Sequence, residues 1–247
     1  MASLYTIPAR VSSKIFSPQA CNLPGFVLNY WEKGGLPMRP NTQSAIDAFF
    51  AAHPNLACVR ESTMASVEAV IACYSNGGKV LAAGCGGSMA DAEHITGELL
   101  KSFRLKRPLQ KEFTEAYTAL WGEAPPPLES GLPAVCLTGN AAIMTAIMND
   151  IGGDYAFAQT ALGLANPGDV LIAISTSGNS RLLIPAIKVA RAKGARVVAL
   201  LGRDGGRMKS LADIAIVAPA NETYLIQELH VQLYHLICAA VEEEFFH

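Results

Sequence analysis

A histidine and a glutamate stand four residues apart at positions 94 and 98. On a helix this spacing places both side chains on one face, where they can share a proton or bind one ion. Such a pair is commonly a surface hydrogen bond, but this predicted helix begins at a glycine-rich turn. Proton transfer and metal binding therefore stand beside the surface hydrogen bond as interpretations of His94 and Glu98.

The glycine-rich turn reads GCGGSMAD at 84–91. Its glycines permit close backbone approach, and the free N–H groups of the following helix can bind an anion. The turn starts like the dinucleotide-binding pattern G-x-G-x-x-G, but its last position is Met89, and 138–140 after the next strand supplies no acid for a ribose. The sequence therefore disfavours a nicotinamide cofactor.

A second loop, STSGNS at 175–180, places four hydroxyls around one glycine immediately before a predicted helix. Hydroxyls and helix N-terminal amides together form a phosphate cradle without a fixed positive charge, whereas a plain helix cap needs only one hydroxyl. The chain lacks the lysine motif G-x-x-x-x-G-K-[ST], which argues against nucleoside triphosphate hydrolysis. We expect this loop to bind a phosphate.

The last predicted helix, 222–244, carries polar side chains in an otherwise apolar stretch. They are Gln227, Glu228, His230 and His235. Either histidine alone could be a core residue with a hydrogen-bond partner, but two histidines and a glutamine are costly to bury without partners. This helix is therefore a second source of candidate site residues.

Short apolar runs alternate with helical ones along the chain, and each run is nearly continuous, as in strands that are covered on both faces. The predicted strands are 79–83, 134–137, 170–174, 196–201 and 214–217. The predicted helices between them are 89–102, 140–149, 154–165, 181–193 and 207–212. This alternation predicts an α/β fold, a three-layer sandwich around about five parallel strands, with ligands bound beyond the carboxyl ends of the strands.

Three segments lie outside that alternation. Residues 1–40 are proline-rich with little periodicity, which predicts an irregular N-terminal arm able to lie on a partner subunit. Helices precede the sheet, the first of them capped by Thr42. Residues 103–132 form an insertion with a short helix at 111–121, and 41–247 otherwise make up a single domain.

Composition narrows the classes of partner. Charged residues are 16% of the chain, against about 25% in ordinary soluble domains, and no apolar run approaches the roughly 20 residues of a membrane span. We expect the surplus apolar surface to lie between subunits, on the helices before the sheet and on the final helix.

The formal charge of −2 argues against nucleic acid and anionic lipid as partners. Six cysteines without zinc-ribbon spacing favour reduced thiols in a cytoplasmic protein.

Several stretches together resemble the sugar isomerase (SIS) domain family, and within it the phosphoheptose isomerase branch. They are GKVLAAGCGGSMADAEHITGEL, the Asn149-Asp150 pair, GDVLIAISTSGNS, GRDGGRM and IQELHVQLYH. They follow the family's order across about residues 78–240. The resemblance implies a Rossmann-like or flavodoxin-like SIS fold and an aldose–ketose isomerase that acts on sedoheptulose 7-phosphate. It also implies a homotetramer with active sites between subunits.

The resemblance also implies roles, residue by residue. The implied ligands of one zinc ion, or of another divalent metal, per site are His94, Glu98, Gln227 and His235. The implied acid–base pair is Glu98 and His235. The implied substrate contacts are Cys85, Gly86, Gly87, Ser88, Asn149, Asp150, Ser175, Thr176, Ser177, Ser180 and Gln227. These residue types suit the chemistry, because moving a carbonyl from C2 to C1 needs a base, an acid and stabilisation of an enediolate.

Helix geometry adds one inference. Gln227 and His235 are eight residues apart, which is about 12 Å along a helix and strains joint coordination of one ion. We therefore expect at least one metal ligand to come from a neighbouring subunit, at an interface that also brings His235 towards His94 and Glu98. His230, one helical turn beyond Gln227, is the rival ligand.

Other interpretations stay open. Cys85 stands where the family loop commonly has asparagine, and Ser102 where it often has arginine, so isomerisation of a different phosphosugar is the second interpretation. A third is a non-catalytic SIS protein, such as a sugar-phosphate sensor or a replication-initiator-binding relative. The basic cluster Arg104, Lys106 and Arg107 is expected to be a solvated face rather than a phosphate contact.

Overall fold

Five parallel strands form the centre of the fold in a computed structural model, which describes residues 38–247. The strands are β1 (Val80–Gly84), β2 (Ala134–Cys136), β3 (Val170–Ser175), β4 (Arg196–Leu201) and β5 (Ile214–Val217). They pair in the order β2-β1-β3-β4-β5, and every pairing is parallel. All five predicted strands are confirmed, with bounds that differ by at most one residue.

Helices cover both faces of this sheet. They are α1 (Pro40–Ala52), α2 (Arg60–Ser75), α3 (Gly87–Leu100), α4 (Lys111–Trp121), α5 (Ala141–Asp150), α6 (Ala156–Leu164), α7 (Leu183–Ala192), α8 (Gly206–Leu211) and α9 (Thr223–Phe246), with short 3-10 helices at Pro54–Val59 and Gly153–Tyr155. Successive strand side chains point to opposite faces, so Val80 and Ala82 pack with α1, α2, α3 and α9, whereas Leu81 and Ala83 pack with α6, α7 and α8. The three-layer α/β prediction is confirmed.

The start of α1 differs from the prediction. The helix begins at Pro40, because the fixed φ and missing N–H of proline suit the first helical position, so Thr42 is not the cap. The Thr42 hydroxyl instead donates to Glu244 Oε2 at 2.7 Å, which ties α1 to the end of α9. Of the predicted arm, residues 1–37 lie outside the described residues, and Pro40 belongs to α1.

Helix α9 is buried within its own chain along one continuous stretch, and 11 of its 24 residues are buried in all. Residues 236–242 are all buried, and they pack with α1, α2 and α3. The expectation that this helix lies between subunits is therefore wrong for 236–242, since a residue buried in one chain has no surface left for a partner, and it stays a prediction for the rest of α9. The exposed large apolar side chains are Leu100, Phe113, Leu120, Trp121, Leu128, Ile143, Met148, Ile151, Tyr155, Leu162, Leu164, Tyr224 and Leu225.

The segment that was predicted as an insertion leaves the fold after α3 and returns at β2. Its helix, α4, was predicted correctly and has no buried side chain. The two ends of the excursion meet: the Ser130 N–H donates to the Arg107 carbonyl at 2.9 Å, and the Ser130 hydroxyl donates to the Pro108 carbonyl at 2.7 Å. The chain thus departs from the fold and rejoins it at nearly the same point.

Two further expectations concern the whole chain. Across residues 38–247, no helix has the length and apolarity that crossing a membrane requires. The cysteines of that range are free thiols, namely Cys58, Cys73, Cys85, Cys136 and Cys238. Cys21 lies outside the described residues.

Candidate active site

The loop after β1 is exposed at 85–87 and lies between two other site elements. On one side, the Cys85 thiol is 3.6 Å from the Ser180 hydroxyl oxygen, which joins this loop to STSGNS. On the other side, a Cβ at Gly87 would lie 2.3 Å from Gln227 Nε2, so only glycine allows this α9 amide to approach. Three predicted substrate contacts and one predicted metal ligand are thus brought together within one chain.

The STSGNS loop leaves β3 and reaches α7, which begins at Leu183, two residues later than predicted. The first serine, Ser175, is buried. The Ser177 and Ser180 oxygens each accept a backbone N–H at 3.3 Å, from the residues two and three positions further on respectively. Each hydroxyl hydrogen therefore remains available to a phosphate oxygen.

The glycine-rich turn after β4 fixes the shape of this loop. Gly178 has a φ of 63°, and a Cβ there would lie 1.9 Å from the Gly205 carbonyl oxygen, so no other residue fits. The Met208 N–H donates to the Gly178 carbonyl at 2.9 Å, and the Arg207 N–H donates to the Asn179 side-chain oxygen at 3.1 Å. The STSGNS loop, which follows β3, is therefore held in shape by bonds to the turn that follows β4.

The predicted acid–base residues meet at α3, the helix that begins at the first loop. His94 Nε2 lies 2.9 Å from Glu98 Oε1, as the spacing of four predicted. The His235 ring centroid is 5.0 Å from that of His94. This contact forms within one chain, so the expectation that a subunit interface is needed to bring His235 to His94 is wrong.

His235 has a ring nitrogen that no described residue binds. Its Nε2 is buried and has no hydrogen-bond partner among the described residues. Burial, together with the nearby His94, lowers the pKa of His235, so the ring is neutral near pH 7. Phe103 packs on the ring with centroids 5.3 Å apart, which fixes its plane.

His230, the rival ligand, has a structural role. It is fully buried, and its Nε2 lies 2.9 Å from the Leu201 carbonyl oxygen at the end of β4. Burial lowers its pKa to about 4, so it remains a neutral hydrogen-bonding group. Its contact with the sheet leaves His235 as the α9 histidine at the site.

Two residues that the sequence analysis missed lie behind His94. The Tyr234 hydroxyl is 3.0 Å from His94 Nδ1 and 3.4 Å from Asp91 Oδ1. Burial raises the pKa of Asp91 and of Tyr234. Asp91 was recognisable in principle, because a residue three positions before His94 shares its helix face. Tyr234 carried no signal, since its neighbours on α9 read as core.

A buried ion pair, also missed, holds α3 against α9. Arg107 is fully buried, and its Nε donates to Glu242 Oε1 at 2.8 Å, so the expectation of a solvated Arg107 is wrong. Its other nitrogens donate to the Glu98 and Leu99 carbonyls at 2.9 and 2.7 Å. Arg107 therefore caps the C-terminal end of α3, the helix that carries Glu98.

Two residues that were predicted to contact the substrate, Asn149 and Asp150, make no described polar contact with the loops at 85–87 and 175–180. Asn149 and Asp150 are exposed at the end of α5, where the Asn149 amide donates to Asp150 Oδ1 at 2.7 Å. Nearby, Arg181 pairs with Asp154 at 2.6 Å, which links this region to the segment after STSGNS. Within residues 38–247, no polar contact joins Asn149 or Asp150 to either loop, so their role in substrate binding stays a prediction.

The donor chemistry suits zinc, which binds histidine nitrogens and carboxylate oxygens. His94 Nε2 and Glu98 Oε1 converge, and the buried His235 Nε2 lacks a partner. Among the described residues of one chain, however, no three His, Cys, Asp or Glu side chains are placed to hold a metal. His94 and Glu98 are therefore two donors of suitable chemistry, and the four-residue zinc site stays a prediction.

Comparison with known proteins agrees with the motifs. The SIS domain family matches residues 59–124 and 126–202. The phosphoheptose isomerase of Aliarcobacter butzleri is 39% identical over 210 residues, which cover 83% of this chain and 100% of that protein. The structure of a phosphoheptose isomerase from Neisseria gonorrhoeae matches with a TM-score of 0.62 and 34% identity, over 82% of this chain and 95% of that one.

A second solved structure, a phosphoheptose isomerase from Francisella tularensis, matches with a TM-score of 0.65 and 29% identity, again over 82% of this chain and 95% of that one. The similarity includes both the glycine-rich loop and STSGNS, because the family match runs from 59 to 202 with a single-residue gap. Motif order, fold and sequence identity point the same way. The chain belongs to the SIS domain proteins and, within them, to the phosphoheptose isomerase family.

Proposed function

We propose that this protein isomerises sedoheptulose 7-phosphate to D-glycero-D-manno-heptose 7-phosphate through an enediolate. The observation that carries the proposal is the meeting of His94, Glu98 and His235 at the helix that begins at the loop in contact with STSGNS. An aldose–ketose isomerase needs these parts together: a base for a carbon-bound proton, an acid for an oxygen-bound proton and a phosphate anchor. The names of the relatives support the same substrate.

Glu98 is the base of this proposal. Its carboxylate removes the proton from C1 of the ketose and returns it to C2, while its partner His94 holds the carboxylate in place. His235 moves the hydroxyl proton from O1 to O2, because its Nε2 is free of protein partners and its ring is neutral near pH 7. The carbonyl thereby moves from C2 to C1 with no net change in protons.

The phosphate is bound by hydroxyls and amides in this proposal, without a lysine or arginine. Ser175, Thr176, Ser177 and Ser180 supply the hydroxyls, and α7 supplies N-terminal amides. Exposed backbone at 85–87 lines the sugar. Because the phosphate anchor lies at one end of the substrate, it fixes the distance of C1 and C2 from Glu98.

Zinc is the proposed cofactor. His94, Glu98, Gln227 and His235 would hold it, and when bound it supplies Lewis acidity that polarises the carbonyl and stabilises the enediolate charge. We also propose a cytoplasmic homotetramer in which a neighbouring subunit completes each site. The incomplete donor set of one chain and the exposed apolar side chains of α5 and α6 support this assembly.

The test is incubation of the pure protein with sedoheptulose 7-phosphate, with aldose formation followed by NMR. We expect conversion by the wild type and a loss of about 10²–10⁴-fold in kcat for Glu98→Gln, the range for removal of a general base. Glu93→Gln is the matched control, since Glu93 is an exposed glutamate on the same helix. Absence of conversion by folded protein would overturn the proposal.

Two further arms separate the alternatives. Conversion that survives exhaustive chelation would reject zinc and leave the isomerase. Turnover of a different ketose phosphate in a small panel would change the substrate and leave the mechanism. Thermal stabilisation by these sugars without any turnover would instead indicate a sugar-phosphate sensor.

A further inference from the structure

The carboxyl end of α3 carries Glu98, and the helix itself leaves this end incomplete. Glu98 and Leu99 belong to the last turn of α3, which ends at Leu100. The last four carbonyls of a helix have no partner inside it, and here the next residue, Lys101, is already extended. The position of Glu98 therefore depends on hydrogen-bond donors from elsewhere in the chain.

Those donors come from both ends of the segment 103–132. The fully buried Arg107 guanidinium donates through Nη2 to the Glu98 carbonyl at 2.9 Å and through Nη1 to the Leu99 carbonyl at 2.7 Å. The Leu132 N–H donates to the same Leu99 carbonyl at 2.9 Å. The last turn of α3 is thus held by residues that are not part of the helix.

The third nitrogen of Arg107 connects this turn to α9. Arg107 Nε donates to Glu242 Oε1 at 2.8 Å, and the Glu242 carboxylate also accepts the backbone N–H groups of 103–105 at 2.8, 2.7 and 3.0 Å. The ring of Phe103 packs on His235 with centroids 5.3 Å apart. One carboxylate therefore holds both the guanidinium that binds the last turn of α3 and the backbone of the residue that packs on His235.

We propose that this buried arginine–glutamate pair sets the place of the Glu98 carboxylate relative to the His235 ring. Arg107 and Glu242 are thus positioning residues, which act through α3 and Phe103. The guanidinium nitrogens lie in one rigid plane, so their bonds to α3 and to Glu242 fix two helices at once. Both side chains are at most 1% exposed, so water cannot replace these bonds. The importance of this spacing for turnover rests on the proposed function, whereas the spacing itself does not.

The test uses the full-length Arg107→Lys variant, which keeps a positive charge opposite Glu242. The single nitrogen of lysine cannot bond the carboxylate and both α3 carbonyls together. We expect the backbone amides of 97–100 to exchange with solvent about 10-fold faster, because a helix turn that loses its hydrogen bonds opens without unfolding of the whole protein. Hydrogen exchange followed by NMR measures this rate and needs no substrate.

The His235 ring gives a second signal. Because Phe103 packs on it, the ring current of Phe103 displaces the NMR signals of the imidazole C–H groups, and Phe103→Leu removes that displacement. We expect the Arg107→Lys signals, at one fixed pH and without metal, to shift towards those of Phe103→Leu. In an active enzyme, Arg107→Lys should lower kcat about 10–100-fold with little change in KM, since the phosphate loop is held by the turn after β4.

Lys79→Met is the matched control. Lys79 pairs with the buried Asp169 at 2.6 Å, at the amino ends of β1 and β3, whereas the site loops follow the carboxyl ends of the strands. Loss of this pair should lower the free energy of unfolding and leave the exchange at 97–100, the His235 signals and kcat as in the wild type. The control therefore separates positioning from a general loss of stability.

An Arg107→Lys protein with wild-type exchange at 97–100 and wild-type His235 signals would overturn the proposal. Equal changes in Lys79→Met would overturn it as well, because the effect would then follow stability alone. If Arg107→Lys does not fold, Glu242→Gln takes its place, since glutamine offers one acceptor oxygen where the carboxylate offers two. Altered exchange and ring signals in a protein that turns over no phosphosugar would support the positioning role and refute the isomerase.

Discussion

Gly87 is the residue at which the first loop touches the last helix. A Cβ there would lie 2.3 Å from Gln227 Nε2, the end of a flexible side chain that can move aside. We expect Gly87→Ala to displace the amide and lower isomerase kcat/KM by about 100-fold, the effect of a misplacement of roughly 1 Å. The free energy of unfolding should change by less than about 1 kcal/mol, as urea denaturation would show.

Gly163→Ala is the control for that change. Gly163 lies in α6 with nothing within 4 Å of a new Cβ, so alanine should leave activity intact and raise stability by at most about 1 kcal/mol. Full activity of Gly87→Ala would show that Gln227 has no part in the site.

At the residue scale, side-chain contacts within one helix can be predicted from the sequence, whereas contacts between residues far apart in the sequence cannot. His94 and Glu98 are four apart, so their contact follows from helix geometry alone. Tyr234 meets Asp91 across 143 positions, and Arg107 meets Glu242 across 135. No local pattern encodes such contacts, which is why Arg107 resembled a solvated residue.

The Arg107–Glu242 pair joins α9 to the end of α3, so it belongs to the scale of elements. Glu242 also accepts the backbone N–H groups of 103–105, at 2.8, 2.7 and 3.0 Å. We expect Arg107→Met to lower the free energy of unfolding by about 3–5 kcal/mol, because it leaves a buried charge unpaired. Glu242→Leu should cost more, since it also leaves three N–H groups without an acceptor.

Urea denaturation at fixed protein concentration measures both changes. Lys111→Met is the control, because Lys111 pairs with Glu115 on exposed α4 at 3.6 Å and should leave stability unchanged. Equal effects of Arg107→Met and Lys111→Met would mean that the buried pair does not hold α3 to α9.

The same pair gives stability a defined pH dependence. Burial raises the pKa of Glu242, but the N–H groups of Phe103 and Arg104 and the Arg107 guanidinium outweigh it, so the pKa lies below its ordinary value of 4.5. Such a carboxylate stabilises the fold above its unfolded pKa and loses that contribution as pH falls through its folded pKa. The stability advantage of wild type over Glu242→Gln should therefore be constant above pH 4.5 and shrink below it.

That comparison needs urea denaturation of both proteins from pH 7 to about pH 3. A difference that stays the same over the whole range would show that Glu242 keeps an ordinary pKa in the folded protein.

At the scale of elements, the strands were predicted to within one residue, whereas helix starts such as those of α1 and α7 were not. Continuous apolar runs identify β1, β3 and β4 because parallel strands are covered on both faces. Thr42 matched the preference for hydroxyls at helix caps, but Pro40 two residues earlier already suits the first helical position. Here proline determines the boundary and the hydroxyl serves a contact with Glu244.

The whole molecule exposes apolar side chains along 143–164, from α5 to α6. Ile143, Met148, Ile151 and Leu162 are each at least 41% exposed. Exposed apolar side chains mark association sites where they form one contiguous patch. Composition indicated an interface, and the prediction placed it on the final helix and the helices before the sheet, because hydropathy does not distinguish a helix buried in the core from one that faces a partner.

We expect light scattering to give a mass near four times the 26.1 kDa of one chain. Ile151→Glu should lower that mass and the activity together, since a charge is costly to bury at an interface. Leu128→Glu, at an equally exposed position in the loop after α4, should change neither. A tetramer that withstands Ile151→Glu would exclude this part of α5 from the interface.

The meeting of Ser130 with Arg107 and Pro108 has a consequence for how the gene can be altered. The stretch 109–129 begins and ends at one place, and its helix contributes no side chain to the core. Its removal, with a two-residue turn joining Pro108 to Ser130, should spare Arg107, α3 and α9, and within residues 38–247 it would cost only the two bonds from Ser102 to Glu129. A foreign domain inserted at α4 would likewise be connected to the fold through two neighbouring chain positions, Pro108 and Ser130. Its insertion should therefore not strain the sheet. This segment is therefore the natural place to shorten, label or tether the protein.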